Sequence, residues 1–357
     1  MFAISYNDLE ITENMDVGIA RLILYSTFIH SILKGKYEQS SIETANEKWI
    51  MRKIADLKMI SEDVYEEDLP EKLLTFVEEE QKDFINFQNI KLHTVLTSYF
   101  KLDEKSNGKH SVDFLHKSFQ EYFLAEYYVE SILYNRGYRL NIGHPSNVTV
   151  KFLDSLLSLI NNHNKKEYEK YLLRIVRSFY LNKAGEKDEE IIKIAKTFKN
   201  YLLENAVKIF EENKIVYVDL EDKPKKEYWK EKEIPNYKKY YENFIYKAIS
   251  LFIIKKLDPE RNPSSLVDYI KDSYNISPTL RYFPFVNLSR ANLSRANLSY
   301  AELFEANLIR ADLSEANLNG VKLHLANLNG AKLEQTSMEQ NFIKHISKEQ
   351  ISLKPLF

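Results

Sequence analysis

Two Gly-Lys pairs, Gly35-Lys36 and Gly108-Lys109, are the places where this chain could begin a phosphate cradle. Such a loop needs G-x-x-x-x-G-K-[ST], so that converging backbone N–H groups and one lysine meet the phosphates. Five residues before each glycine stand His30 and Asp103, and Tyr37 and His110 follow the lysines. Neither pair completes the loop. The eight histidines are scattered, with no H-x₃-H and no carboxylate at ligand spacing. No G-x-S-x-G elbow frames a nucleophilic serine. The absence of cysteine removes thiolate ligands, a thiol nucleophile and disulfides. Carboxylate runs such as Glu78-Glu79-Glu80 read as a solvated helix face. The residues predict no catalytic group, no metal site and no cofactor, so an enzyme is not expected.

The bulk properties agree with that. The 357 residues carry 50 Lys+Arg against 52 Asp+Glu, and a net charge of −2 sets up no field that gathers nucleic acid or membrane. No apolar run approaches the ~18 residues of a membrane span, and no basic-then-apolar leader opens the chain. A cytoplasmic protein without membrane or nucleic-acid partners is expected.

The elements that must carry any function fall into distinct stretches. A helix is expected from about Asp16 to Lys34, stopped by Gly35. A second starts at Ser40, with Glu43 completing a capping box and Ile50, Ile54 and Leu57 on one side. "YFKL" and "VDFL" (99–102 and 112–115) read as strands joined through Asn107-Gly108. From Lys117, the residues Phe119, Tyr122, Phe123 and Tyr127 form an aromatic helix face. Residues 188–210 make an amphipathic helix with Ile191, Ile194, Ala195, Phe198, Leu202 and Phe210 inward. The lysines and aromatics of 221–241 read as a solvated loop rather than a single-strand binding platform.

"DFLHKSFQEYFLAEYY" (113–128) resembles the F-x-H-x-x-F-Q-E-F/Y-F-A-A motif of NACHT-type STAND ATPases, relatives of the NOD-like receptors. Leu124 departs from the usual alanine. The resemblance spans about residues 1–135 and implies the winged-helix end of that architecture, without its ATPase core. It implies that His116 contacts the β-phosphate of ADP once a separate P-loop ATPase chain supplies the nucleotide. A plain helix cap is the other reading of His116.

The last stretch has a period of its own. Phe283, Leu288, Leu293, Leu298, Leu303, Leu308, Leu313, Leu318, Leu323, Leu328, Leu333 and Met338 recur every fifth residue, with a small or β-branched residue two before most of them. Five matches neither the 3.6 of a helix nor the 2 of a strand. A short period held this long is a solenoid signature. The segment resembles the pentapeptide-repeat family, A-(D/N)-L-x-x. That resemblance implies a right-handed quadrilateral β-helix with four units per coil and the large residues inward. About three coils make a rod of roughly 14 Å at ~4.8 Å per strand. Residues twenty apart then share a column: Asn287, Asn307 and Asn327 as an amide ladder, Glu302 below Lys322, Phe304 below His324. Some members imitate duplex DNA to occupy topoisomerases, which needs a strongly negative rod. Here six basic and six acidic residues between 281 and 340 cancel.

The expected fold is α+β and multidomain, its N-terminal two-thirds mostly helical. The divisions are a winged-helix-like region (1–135), a helical connector (136–280), the β-helix (281–340) and a C-terminal cap (341–357). The expected function is non-catalytic interaction and regulation through a protein partner, as the sensor half of a split or truncated NACHT-type system. A stand-alone scaffold or inhibitor of a target enzyme is the alternative.

Overall fold

A computed structural model describes residues 15–37, 41–60, 64–80, 92, 96, 100–134, 145–162, 165–180, 186–211, 244–272 and 280–337. The expected loop at 221–241, Ser40, Met338 and the cap at 341–357 lie outside them, as do the side chains of Glu78, Glu79 and Glu80. The chain forms two compact units, Met1–Tyr134 with Pro145–Leu202 and Asn135–His144 with Leu203–Phe357. This division cuts across the 136–280 connector, because its first helices pack on those that precede it.

In the first unit, α1 (Val17–Tyr37) is capped by Asp16, whose carboxylate accepts from the Ile19 N–H at 3.0 Å. It does not stop at Gly35. α2 (Ser41–Ile60) follows, then a 3₁₀ turn at Glu66–Asp68 and α3 (Leu69–Glu80). β1 (Phe100–Glu104) pairs antiparallel with β2 (His110–Phe114) in the register Phe100↔Phe114. Gly108 turns the hairpin at φ 74°, a conformation that suits glycine. The Glu67 carboxylate accepts from the His110 backbone N–H and lies 2.7 Å from its Nδ1, holding β2 to the 3₁₀ turn.

α4 (Lys117–Leu133) is the centre of this unit. α2, β2 and α5 (Asn147–Asn161) pack on it, and α6 (Lys166–Phe179) packs on α2. Every residue from Glu121 to Leu133 is buried, so α4 has no solvent face beyond its first turn. Gly18 lets α1 approach α5, since a Cβ there would stand 2.6 Å from Ser155 Oγ.

An α-helix buried on all sides cannot carry Glu126 and Glu130 unless they are paired. α2 supplies the partners. Lys48 Nζ lies 2.8 Å from Glu126, Lys53 Nζ 3.2 Å from Glu130, and Arg52 bridges both at 3.4 and 3.0 Å. Tyr122 Oη donates to Glu126 at 2.6 Å, and Arg52 also donates to the Ser178 carbonyl of α6 at 2.8 Å. The Lys53 ammonium sits 4.8 Å from the Tyr127 ring and 5.4 Å from those of Trp49 and Phe76. Burial alone would raise the Glu126 carboxyl, but attraction to Lys48 and Arg52 outweighs it and holds the group below the usual carboxylate range. Burial pulls the Lys48 ammonium down, so Arg52 is the cation that secures the pair.

α7 (Asp188–Glu211) belongs to the first unit as far as Leu202, and the second unit contains its remainder, α8 (Phe244–Leu257), α9 (Leu266–Asp272) and the repeat. Ile191, Ala195, Phe198, Leu202 and Phe210 of α7 are buried, and Ile194 is half-buried. From Tyr282 to Ser337, parallel bridges join residues twenty apart, among them Asn287↔Asn307, Asn307↔Asn327 and Glu302↔Lys322. Leu288 N–H donates to Asn307 O and Asn307 N–H to Val286 O, both at 2.8 Å, and this pattern recurs along the segment. Four five-residue units therefore return the chain to the next rung. Phe283 and the leucines from 288 to 318, with Leu328, are buried, while Leu323 and Leu333 on the last described rung are half-buried. Residues before 281 cover the first rung. Phe252 of α8 meets Tyr282 at 5.4 Å, Lys256 lies over the same ring at 4.1 Å, and Asn262 accepts from the Asn287 N–H at 3.3 Å.

Glu126→Gln should cost about 3–5 kcal/mol, because it strands buried cations. Loss of the exposed Lys101–Asp103 pair should leave the unfolding midpoint essentially unchanged. Since the folded Glu126 carboxyl titrates below its unfolded value of 4.5, its contribution is complete above that pH and fades as pH falls toward the folded value. Urea unfolding of both chains should therefore converge in acid, and a gap that persists there removes Glu126 as its source. Leu308, 1% exposed, should cost about 2–5 kcal/mol as Leu308→Ala in the same assay. A neutral Leu308→Ala would contradict the inward stack.

Candidate interaction surface

His116 is the N-cap of α4. Its Nδ1 accepts from the Ser118 N–H at 3.3 Å and pairs with the Ser118 hydroxyl, which in turn accepts from Tyr25 Oη of α1 at 2.7 Å. An Nδ1 that accepts leaves the proton of a neutral imidazole on Nε2, on the exposed side chain. Tyr25 is fixed among the rings of Phe119, Tyr122 and Phe152 at 5.5, 5.9 and 5.0 Å. The cap is thus set by an aromatic cluster, with one N–H donor directed away from the helix.

The repeat presents its chemistry differently. Each leucine starts a turn closed by the next small residue, as in Ala291 N–H to Leu288 O at 3.0 Å. The third residue of each turn needs φ above zero, which glycine meets without strain. Only Gly320 and Gly330 do so here. Phe285, Arg290, Arg295, Tyr300, Glu305, Arg310, Glu315, Leu325 and Gln335 adopt φ of 53–63°. Each carries roughly 1–2 kcal/mol of left-handed strain. The turns are tied by the preceding asparagines: Asn287, Asn297, Asn307, Asn317 and Asn327 accept through Oδ1 from the backbone N–H two residues on, at 3.1–3.2 Å. The amide ladder expected along Asn287, Asn307 and Asn327 is instead a row of such local caps on a shared backbone column.

Outward columns otherwise follow the twenty-residue spacing. Lys322 donates to Glu302 at 2.7 Å, Arg295 meets both oxygens of Glu315 at 2.9 and 3.3 Å, and the rings of Phe304 and His324 stand 6.5 Å apart. Hydrogen bonds from Ser314 hold the Asp312 carboxyl below its ordinary range, and Lys332 adds to the shift. Arg290 and Arg310 stack in one column that Gly330 completes, with no acid in it. Phe285 and Leu325 are 40% and 69% exposed on the neighbouring corner. Tyr300, 59% exposed, lays its ring over Gly320, where a Cβ would stand 2.5 Å from Cδ1.

Neither the ion network of the first unit nor the arginine column was identified from sequence. Glu126 and Glu130, four apart inside an apolar helix, were a usable signal for the first. Arg290 and Arg310, twenty apart, were one for the second. No described helix is long and apolar enough to cross a membrane.

Gly320→Ala should cost roughly 1–2 kcal/mol for its backbone alone and more while the Tyr300 ring is in place. Tyr300→Ala should recover the excess as a coupling of about 0.5–3 kcal/mol in a double-mutant thermal cycle. At Gly330 the neighbour is the flexible Arg310 Cγ at 3.3 Å, so Gly330→Ala should show the backbone cost alone. Additivity of the 300 and 320 changes would mean that the ring does not rest on the glycine.

Compared with known proteins, the chain matches no curated sequence. Residues 283–303 and 301–340 match the Pentapeptide repeats model in eight copies, so the C-terminal segment of this chain is a run of pentapeptide repeats.

Proposed function

We propose that this is a non-catalytic, cytoplasmic interaction and regulatory protein whose repeat, a right-handed quadrilateral β-helix, docks a protein partner. The observation that carries this is the twenty-residue register, which fixes outward columns of mixed chemistry on a hydrogen-bonded backbone. Preorganised side chains lose little freedom on binding. A partner recovered with the full-length chain from native cells should be lost from Leu308→Asp, whose buried charge disrupts the stack. Retention of the partner by a variant whose repeat has unfolded would place docking elsewhere.

The finer reading is the sensor half of a split NACHT-type STAND system, with a P-loop ATPase on another chain. It is supported by the motif at 113–128 and by the hairpin that leads directly into α4 with His116 at the junction. The outward Nε2–H of His116 suits a phosphate oxygen, yet one donor cannot anchor a diphosphate alone. A neighbouring-gene ATPase should therefore bind this chain more tightly with ADP than with ATP, as linkage requires. His116→Ala should remove about 1–3 kcal/mol of that ADP increment by calorimetry, beside a capping cost of about 0.5–2 kcal/mol in stability. An unchanged increment would leave His116 as a cap only. The stand-alone scaffold or inhibitor remains the alternative, distinguished by a partner that binds without any nucleotide effect.

A further inference from the structure

We infer that the repeat face running from the Phe285 and Leu325 corner to the Arg290 and Arg310 corner docks an acidic amphipathic helix of another protein. The inference rests on the docking role proposed above and specifies its partner.

Residues 290 and 310 stand at the turn position that favours glycine, as Gly330 does on the next rung, yet both are arginines with φ of 58° and 57°. They lie on adjacent rungs, where Arg290 N–H donates to Ile309 O at 2.8 Å. Rungs are ~4.8 Å apart, and like charges set side by side at that distance repel. Elsewhere on the repeat, charges twenty apart are compensated, as in Glu302–Lys322 and Arg295–Glu315. Arg290 and Arg310 make no ion pair with any described residue, and no acid occurs in the units 286–290, 306–310 and 326–330. Neither guanidinium gains an ion pair from the repeat, and glycine would hold the same corner without backbone strain. The strain is shared with seven other corners of the repeat, whereas the uncompensated like charge is particular to this column. External carboxylates relieve that repulsion, because each guanidinium offers a planar fork of donors.

Spacing then selects the partner's secondary structure. Carboxylates at i and i+3 or i+4 of a helix are ~5–6 Å apart, close to the rung spacing. Carboxylates at i and i+2 of a strand are ~6.6–6.8 Å apart and fall out of step. The matching partner is a helix laid along the stacking axis with one acid row on Arg290 and Arg310. Its other flank meets Phe285, Leu325 and the half-buried Ile309 with apolar residues and leaves Glu305, exposed between the first two, opposite a polar or basic one. Glu305, between Phe285 and Leu325 in its column, repels carboxylates from that corner and fixes which flank faces which column.

The test uses the full chain and a labelled peptide of about 20 residues, long enough to hold a helix in water. It carries glutamates at i, i+4 and leucines beside them. An isomer of the same composition with glutamates at i, i+2 and a single-stranded oligonucleotide of similar length serve as competitors. Fluorescence anisotropy at low salt should show the helical peptide bound more tightly than either. The Arg290→Gln/Arg310→Gln double variant should weaken it at least about tenfold, whereas Arg295→Gln, which breaks a satisfied pair, should change it about twofold or less. Arg290→Gly/Arg310→Gly should melt no lower than the parent and lose the peptide equally, which separates binding from folding. Equal binding of the isomers, tighter binding of the oligonucleotide, or an unaffected double variant would overturn the inference. Should the peptide fail while a native partner still depends on an intact stack, the docking role stands and only this occupant falls.

Discussion

Backbone groups in the repeat find their partners twenty residues away, and the arrangement of the second unit's surface depends on that constraint. A unit such as Ala306–Arg310 has too few residues to pair with itself, so the N–H groups of Asn307, Leu308 and Arg310 reach the rungs on either side, while those of Ala306 and Ile309 close local turns. The pairing holds only if Leu308 and Ala306 point inward, where both are buried. It also forces a corner after every fifth residue, which requires φ above zero there. The register, the strained corners and the outward columns thus share one origin. Strain at nine non-glycine corners is tolerated because each is held by rung bonds on both flanks and often by an asparagine cap.

The first unit solves the opposite problem. Its central helix α4 is buried along most of its length and still carries two carboxylates. Replacing such a network with apolar side chains often stabilises a protein, so its presence argues for specificity more than for stability. Arg52 touches Glu126 and Glu130 on α4 and the Ser178 carbonyl on α6, while its own helix supplies Lys48 and Lys53. A shift of α4 by one turn against α2 would leave charges buried without partners. The network therefore sets the register of three helices, including the one that His116 caps.

Legibility in the sequence followed the range of the interaction. The five-residue period is local, and it led to the twenty-residue columns, the Glu302–Lys322 pair and the Phe304–His324 contact. The hairpin at Asn107-Gly108 and the inward face of α7 were local too. Gly35 misled, because a glycine inside a helix costs only about 1 kcal/mol and a 21-residue helix absorbs it. The aromatic face of α4 was visible, but its burial on the remaining sides depends on α5, which the sequence assigned to a separate connector. The Arg52–Glu130 pair spans 78 residues, and no spacing rule connects them. The asparagine column was placed correctly, yet its side chains serve their own turns, since a cap two residues away is entropically cheaper than a bond to the next rung.

Columns of side chains on a fixed register bear on how such a surface achieves selectivity. A loop can adapt to partners of many spacings, whereas rungs held at ~4.8 Å cannot stretch to suit one. Where charges alternate along a column, as at Arg295 and Glu315, the column satisfies itself and offers little to a partner. Where they repeat, as at Arg290 and Arg310, no described side chain of the repeat pairs with them. The same register that stabilises one column through pairing therefore leaves the other uncompensated within the repeat. That asymmetry sets the proposed docking face apart from the rest of a surface that is neutral in sum.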